Sequence, residues 1–387
     1  MDEASQRPSY SALVANHGVI AGDMRGLLRK THRYVGLTLA VFWCMQALTG
    51  ILMVFHWEIE DASFKRFASS INLSRIGARV DALRAADARW TVTSVYPTGG
   101  MAGLFDVFLA NGSGQTDTVR IDGAGRVLER KPLDYDYRQA GLLRAATELH
   151  QSLFAGHRGR LIVGVSGLVL LGNLVLGIKL AWPRRNQWHG ALRVPGGLRG
   201  ATRLYAWHRA LGLWFSIPAG ILLLAGCCLA FDDAWDDLLG TASPPAELAA
   251  APTMGADSIT TAQALLSAVH EFPAAAISGI ILPKPTAPWF TIRLLQPREL
   301  RRVFGTTTVF VSAVTGAVLA REDALHAGAA RRFVDGFYPI HTGEAGGITG
   351  RIVSLSVGCW LVTMLALGIS LWRRRGAPRR VSADSQG

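Results

Sequence analysis

The sequence predicts a membrane α-helical protein with four transmembrane helices arranged as a two-fold internal repeat. Each half carries one extracytoplasmic α+β domain between its two helices. Three observations carry this reading: four long apolar runs, basic residues gathered at the ends of those runs, and motifs that occur twice in the same order. Half of the 387 residues are hydrophobic and 18% are charged, where a soluble domain carries about a quarter. The net charge of +12 is spread over run ends instead of forming one stripe, which argues for a lipid bilayer and against nucleic acid as the partner.

The first thirty residues show no hydrophobic signal segment with a cleavage site, so the first span is expected to direct insertion. Residues 35–55 contain no charge and are long enough to cross about 30 Å of hydrocarbon. Runs 161–182, 210–231 and 352–372 are similar. Lys179 is the one charge inside them, near an end from which it can snorkel. Trp57, Trp182, Trp207 and Trp372 stand at run ends, as interfacial tryptophans do. Cys44, Cys227, Cys228 and Cys359 all lie within apolar runs and read as small buried hydrophobes rather than a disulfide framework.

Orientation follows from the short segments. Arg25, Arg29, Lys30 and Arg33, then Arg184, Arg185, Arg193, Arg199 and Arg203, then Arg373, Arg374, Arg375, Arg379 and Arg380 place three segments in the cytoplasm, with both termini inside. The expected boundaries are a lead 1–31, span 32–56, periplasmic domain 57–148, span 149–182 with its preceding histidine segment, and loop 183–207. The second half follows as span 208–231, periplasmic domain 232–339, span 340–372 with its histidine segment, and tail 373–387. In the first domain the pattern predicts a helix over 81–89, strands over 91–96, 105–110 and 116–121, and a hairpin turn at Asp122-Gly123 and Gly125 into 126–130. In the second it predicts a helix over 258–270 capped by Ser258 or Thr260, with strands over 277–282, 289–295 and 307–312.

The repeat sorts the ten histidines. His32-Arg33 before one apolar run matches His208-Arg209 before another. Leu149-His150, followed by Gly159-Arg160, matches Ile340-His341, followed by Gly350-Arg351. A repeat axis along the membrane normal would bring equivalent positions face to face. His32 and His208 could then hold one haem on the cytoplasmic side, and His150 and His341 a second on the extracytoplasmic side. Arg33, Arg209, Arg160 and Arg351 are candidate partners for haem propionates. His56 and His157 have no repeat mates; a lone interfacial histidine is ordinarily a snorkelling side chain, so they stand as second-choice ligands. They enter because His150 lies about ten residues before its span, some 15 Å along a straight helix; the alternative is that the segment before the span folds back. Without a CxxCH motif the haem would be b-type.

The order His-Arg-x-x-Gly-Leu, Leu-His-x-x-Leu before Gly-Arg, and Ile-His-Thr-Gly before the last span resembles the PepSY-associated transmembrane protein family over nearly the whole chain. That family includes FoxB-type bacterial inner-membrane ferric-siderophore (ferrioxamine) reductases, dihaem proteins with PepSY-like periplasmic domains. The resemblance implies two haem b groups on His32, His208, His150 and His341, and reduction of a ferric siderophore at the periplasmic face. A hydroxamate-type chelate fits the hardness argument for its release. No flavin or dinucleotide fingerprint is present, so the electron donor is a cytoplasmic protein or a quinol. Two rival readings remain: a periplasmic peptide-binding or regulatory membrane protein, and a siderophore transporter.

Overall fold

The computed structural model describes residues 10–132, 137–241, 248 and 258–376. The first apolar run is not one straight helix. It is shared by α1 (Tyr10–Thr38) and α2 (Ala40–Met53), bent by 61° at Leu39. His32 therefore lies inside α1 and not at the mouth of a helix, because the polar lead continues the same helix. A short α3 (His56–Asp61) and one 3-10 turn follow, then α4 (Leu73–Ala86), whose N-cap Asn72 accepts from the Arg75 amide. The helix expected over 81–89 thus begins and ends earlier. Asp87 stops it by accepting from the Arg89 amide and side chain, a turn that delivers the chain into the first strand.

Strands β1 (Trp90–Pro97), β2 (Leu104–Asn111), β3 (Thr116–Asp122) and β4 (Val127–Pro132) form an antiparallel meander. The chain returns through α5 (Tyr137–Ser152), interrupted at Gly141, into α6 (Gly156–Ala181), a straight apolar helix. After α7 (Trp188–Ala191), the third run is again bent, by 62° between α8 (Gly200–Trp214) and α9 (Ser216–Ala230). Pro218 explains this break: it has no N–H for the Trp214 carbonyl, and its ring crowds that oxygen. Both breaks fall seven residues past the motif histidine (32 to 39, 208 to 215), with Gly36 and Gly212 three residues before them. A glycine weakens a helix at that point in each copy.

The second half repeats the plan. An amphipathic α10 (Asp232–Leu239) is followed by α11 (Thr261–Glu271), which Thr260 and Gln263 cap reciprocally. Then come β5 (Ala276–Ile281), β6 (Trp289–Leu295), β7 (Thr307–Ser312) and β8 (Val318–Glu322), α12 (Ala329–Thr342), and the straight α13 (Gly347–Gly376). Counting each bent pair as one span, the described residues contain up to four membrane-crossing helices. Their outward side chains, such as Ile162, Val165, Ile217 and Ile352, are large, apolar and exposed, as a lipid-facing surface requires.

The two meanders are one sheet. Its order is β4-β3-β2-β1-β5-β6-β7-β8, antiparallel throughout, and the halves join where Ser94 pairs with Ile281 and Val95 with Ile280. One buried cluster serves both halves, from Ile76, Val80, Phe105 and Ile121 to Leu265, Phe290, Ile292 and Val309. The segments expected as separate α+β domains therefore share a core. Asp81 of α4 ties them further: it accepts from the amide and hydroxyl of Thr261 at the start of α11. At the rim, Asp61 is 1% exposed and accepts from the Thr98 hydroxyl, the Gly100 amide and Arg120, while Arg120 clasps Asp106 with two bonds of 2.8 Å.

The chain divides into two compact units, Met1–Leu48 with Val165–Leu224 and Ser356–Gly387, and Thr49–Gly164 with Ala225–Leu355. In the first, the spans meet through Leu174, Leu211, Phe215, Ala219, Val357, Trp360 and Met364, with the Trp360 indole donating to the Leu211 carbonyl at 3.0 Å. The second holds the sheet.

The α4–α11 contact yields the first prediction. A Cβ added at Gly77 would lie 2.5 Å from the Ala262 Cα, a backbone atom that cannot step aside. Gly77→Ala is expected to cost about 1–3 kcal/mol and to lower the thermal unfolding midpoint in detergent. An unchanged midpoint would show that the helices part without cost.

Candidate functional site: two paired histidines

The structure brings the four repeat-related histidines together in two pairs, one in each unit. His32 of α1 faces His208 of α8 with ring centroids 6.2 Å apart and planes at 67°. His150 of α5 faces His341 of α12, also at 6.2 Å, with planes at 34°. His150 reaches this place because the chain turns back on itself before the span. Leu153 and Phe154 adopt left-handed φ values of 51° and 58°, and α6 begins at Gly156. Such conformations cost non-glycine residues about 1–3 kcal/mol each, so the surrounding structure enforces the turn. The matching turn after His341 uses Gly343, φ 81°, and packs against Gly350, the repeat mate of Gly159.

Each histidine sits over a glycine of the neighbouring span. A Cβ at Gly50 would come 3.0 Å from the His150 ring, at Gly226 2.6 Å from His341, at Gly177 3.0 Å from His32, and at Gly368 3.8 Å from His208. These four glycines are themselves repeat mates. Gly50 and Gly226 each follow the first motif histidine by 18 residues; Gly177 and Gly368 each follow the second by 27. Sequence reasoning passed over them because a glycine in a span reads first as a site of close helix packing. Their spacing, equal to that of the histidines, was the available signal.

The hydrogen bonds fix ring chemistry. The Nδ1 of His32 lies 3.0 Å from the Asn173 carbonyl oxygen, which can only accept, so Nδ1 carries the proton and a neutral ring turns its lone pair to Nε2. The Met364 carbonyl, in the matching position of α13, lies beside His208, whose Nδ1 makes no close hydrogen bond. The Thr49 hydroxyl is 3.1 Å from the Nδ1 of His150.

The spacing can be tested against a metal between the rings. Metal–nitrogen bonds of about 2 Å, with each nitrogen about 1 Å from its ring centre, set two coordinating imidazoles roughly 6 Å apart, centre to centre. Both pairs match. Among the described residues, no three or more His, Cys, Asp or Glu side chains gather with metal-holding geometry. An ion needing three or four protein ligands finds no such set there, whereas a macrocycle that brings its own nitrogen donors needs only two imidazoles.

His56 and His157 stand apart from both pairs. His56 donates from Nδ1 to the Met53 carbonyl at 2.6 Å and packs on Trp57. His157 is exposed beside Arg160 and Asp233. The arginines are also differently employed than expected. Arg160 pairs with Asp232 and Asp233 at 2.9 and 2.7 Å. Arg351, 6% exposed, spends its fork on Glu58 at 2.7 and 2.8 Å and on the Val54 carbonyl. In each case the acceptor comes from the other half, so these residues clamp the repeat together, and a propionate would have to displace their carboxylates. Burial alone would raise the Glu58 pKa; the Arg351 and Arg302 guanidinium groups beside it hold it below the usual carboxylate value. Arg33 is exposed, with a bond to Tyr34, and Arg209 donates to the Ala181 carbonyl at the end of α6.

Two straight and two bent apolar helices, with an eight-stranded antiparallel sheet, define a multi-pass membrane protein. The family described as the PepSY-associated TM region matches residues 29–375, and the chain belongs to that family. A comparison with curated proteins finds no match.

If the glycines set the rings, Gly226→Ala should displace His341. In spectra of protein labelled at histidine Cε1, one histidine resonance is expected to move in Gly226→Ala. It should stay in place in Gly220→Ala, whose added methyl meets nothing within 4 Å. Equal spectra for both variants would remove the glycine from the argument.

Proposed function

We propose that this protein is a dihaem b reductase of a bacterial inner membrane, passing electrons from the cytoplasmic side to a ferric siderophore on the periplasmic side and releasing Fe(II) for uptake. The observation that carries the reading is the pair of histidine pairs, each set at a 6.2 Å spacing suited to two axial imidazoles. Haem b held by His32 with His208, and by His150 with His341, would supply reversible one-electron transfer at each position. Family membership supports the architecture that this function needs.

The chain's own residues have definable tasks. The Asn173 carbonyl holds the proton on Nδ1 of His32, which leaves Nε2 as the neutral donor that would hold a haem iron, and the backbone acceptor makes the imidazole more basic. The apolar spans exclude water around the rings. Basic residues at the short segments set the orientation, with His32 and His208 toward the cytoplasm, where a protein or quinol donor would deliver electrons. The substrate is an Fe(III) chelate of hard oxygen ligands. One electron reduces it to Fe(II), which such ligands hold far more weakly, so the metal leaves and the chelator is unchanged.

Purified protein is expected to show a Soret band and two b-type haems per chain. Replacing either member of a pair, His32→Ala or His341→Ala, should leave one haem and abolish reduction of ferrioxamine. An absent Soret band, with siderophore-iron use untouched by these variants, would leave the protein a binding or regulatory module. Labelled siderophore entering the cytoplasm together with labelled iron would make it a transporter.

A further inference from the structure

Arg301 and Arg302 lie in the loop between β6 and β7, and three of their guanidinium donors are buried without an acceptor: Nε of Arg301, and Nε and Nη2 of Arg302. The Arg302 donors form one edge. Its Nη1 reaches Glu58 at 3.1 Å, its plane lies over Trp57 at 5.1 Å, and the two-toothed Nε–Nη2 side is left facing no acceptor among the described residues. That edge is the one with which arginine grips a carboxylate through two parallel bonds.

Charge points the same way. Arg301, Arg302 and Arg351 gather around Glu58 and Glu344, while the neighbouring Asp335 carboxylate is taken by Arg331 at 3.0 Å. Three guanidinium groups thus share two carboxylates. Burial pushes the Arg301 pKa below its ordinary value, against the opposing pull of the Asp335 and Glu344 carboxylates. Arg301 also lies 5.0 Å over Tyr338, which stands on α12 one turn before His341. Arg301 thus packs on the helix that carries His341.

We propose that the Arg302 edge, with Arg301 beside it, is a seat for a carboxylate. Two sources carry that chemistry: a propionate of a porphyrin held by His150 and His341, or a small carboxylate from solvent. Only the first rests on the dihaem reading. It would also supply the propionate partner that Arg160 and Arg351 do not.

The test uses full-length protein in detergent, titrated with citrate by calorimetry as purified and after haem extraction, in wild type, Arg302→Gln and Arg302→Lys. Citrate bound by the protein as purified, about tenfold to a hundredfold more weakly in Arg302→Gln, assigns the seat to a solvent carboxylate. Citrate bound only after extraction, with the midpoint potential of one haem falling in both variants, assigns it to a propionate. Arg302→Lys keeps the charge and loses the two-point grip, so it also serves should Arg302→Gln fail to fold. Citrate binding that survives both variants, or no binding in either form together with unchanged potentials in Arg302→Lys, overturns the proposal. A protein without haem that still binds citrate through Arg302 retains the seat and refutes the dihaem reading.

Discussion

The arrangement depends on placing a neutral imidazole between apolar helices with its orientation set. An imidazole there gains from a partner for its N–H, because an unpartnered donor in an apolar medium is costly, although the Nδ1 of His208 makes no close hydrogen bond. It must also find room, because neighbouring helices ordinarily fill the space between them with side chains. His32 meets the first need at the Asn173 carbonyl and the second at Gly177, one turn further along the same helix. Once one helix must present both a bare carbonyl and a glycine to its neighbour's histidine, the facing register of the two is fixed within about one turn. The same arrangement of histidine over glycine recurs for His208, His150 and His341.

Pairing then requires both halves, since each pair takes one ring from each. In the unit that holds His150 and His341, three devices lock the halves: the β1–β5 junction, the core shared by α4 and α11, and the crossed ion pairs of Arg160 with Asp232 and Asp233 and of Arg351 with Glu58. The Arg351–Glu58 pair is partly buried, where losing one partner costs more than in an exposed pair such as Arg160–Asp233. A ring spacing held by a continuous sheet and two arginine clamps is less free to drift than one held by helix packing alone, as the proposed two-sided coordination would require.

The apolar runs, strands β1 to β7 and the pairing of the four histidines were legible in the sequence, because each rests on periodicity or on a motif seen twice. What escaped is long-range or conformational. The bends at Leu39 and Phe215 leave the hydropathy of their runs unbroken, and only Pro218 hints at the second. The joining of two meanders into one sheet depends on β1 and β5 being unpaired edges, which alternation cannot reveal. Arg160 and Arg351 read as ligand partners because they stand near histidines, while their true acceptors lie 72 and 293 residues away in sequence. His150 looked too far from its span because left-handed turns at Leu153 and Phe154 are not expected of those residues.

Departures from the repeat are as informative as the repeat. Where the halves agree, in histidines, glycines, bends and clamping arginines, the requirement is symmetric: two rings facing one another. Where they differ, symmetry is not what is needed. The β2–β3 turn spans residues 112–115, whereas the matching β6–β7 connection spans 296–306 and carries Arg301 and Arg302. A group lying between two equivalent histidines can be symmetric at its centre and still have polar substituents along one edge only. The longer loop in one half places buried guanidinium donors beside Tyr338 and Trp57, as recognition of such an edge would require. The same asymmetry would give the scaffold a single preferred side for the carboxylate-bearing group proposed above.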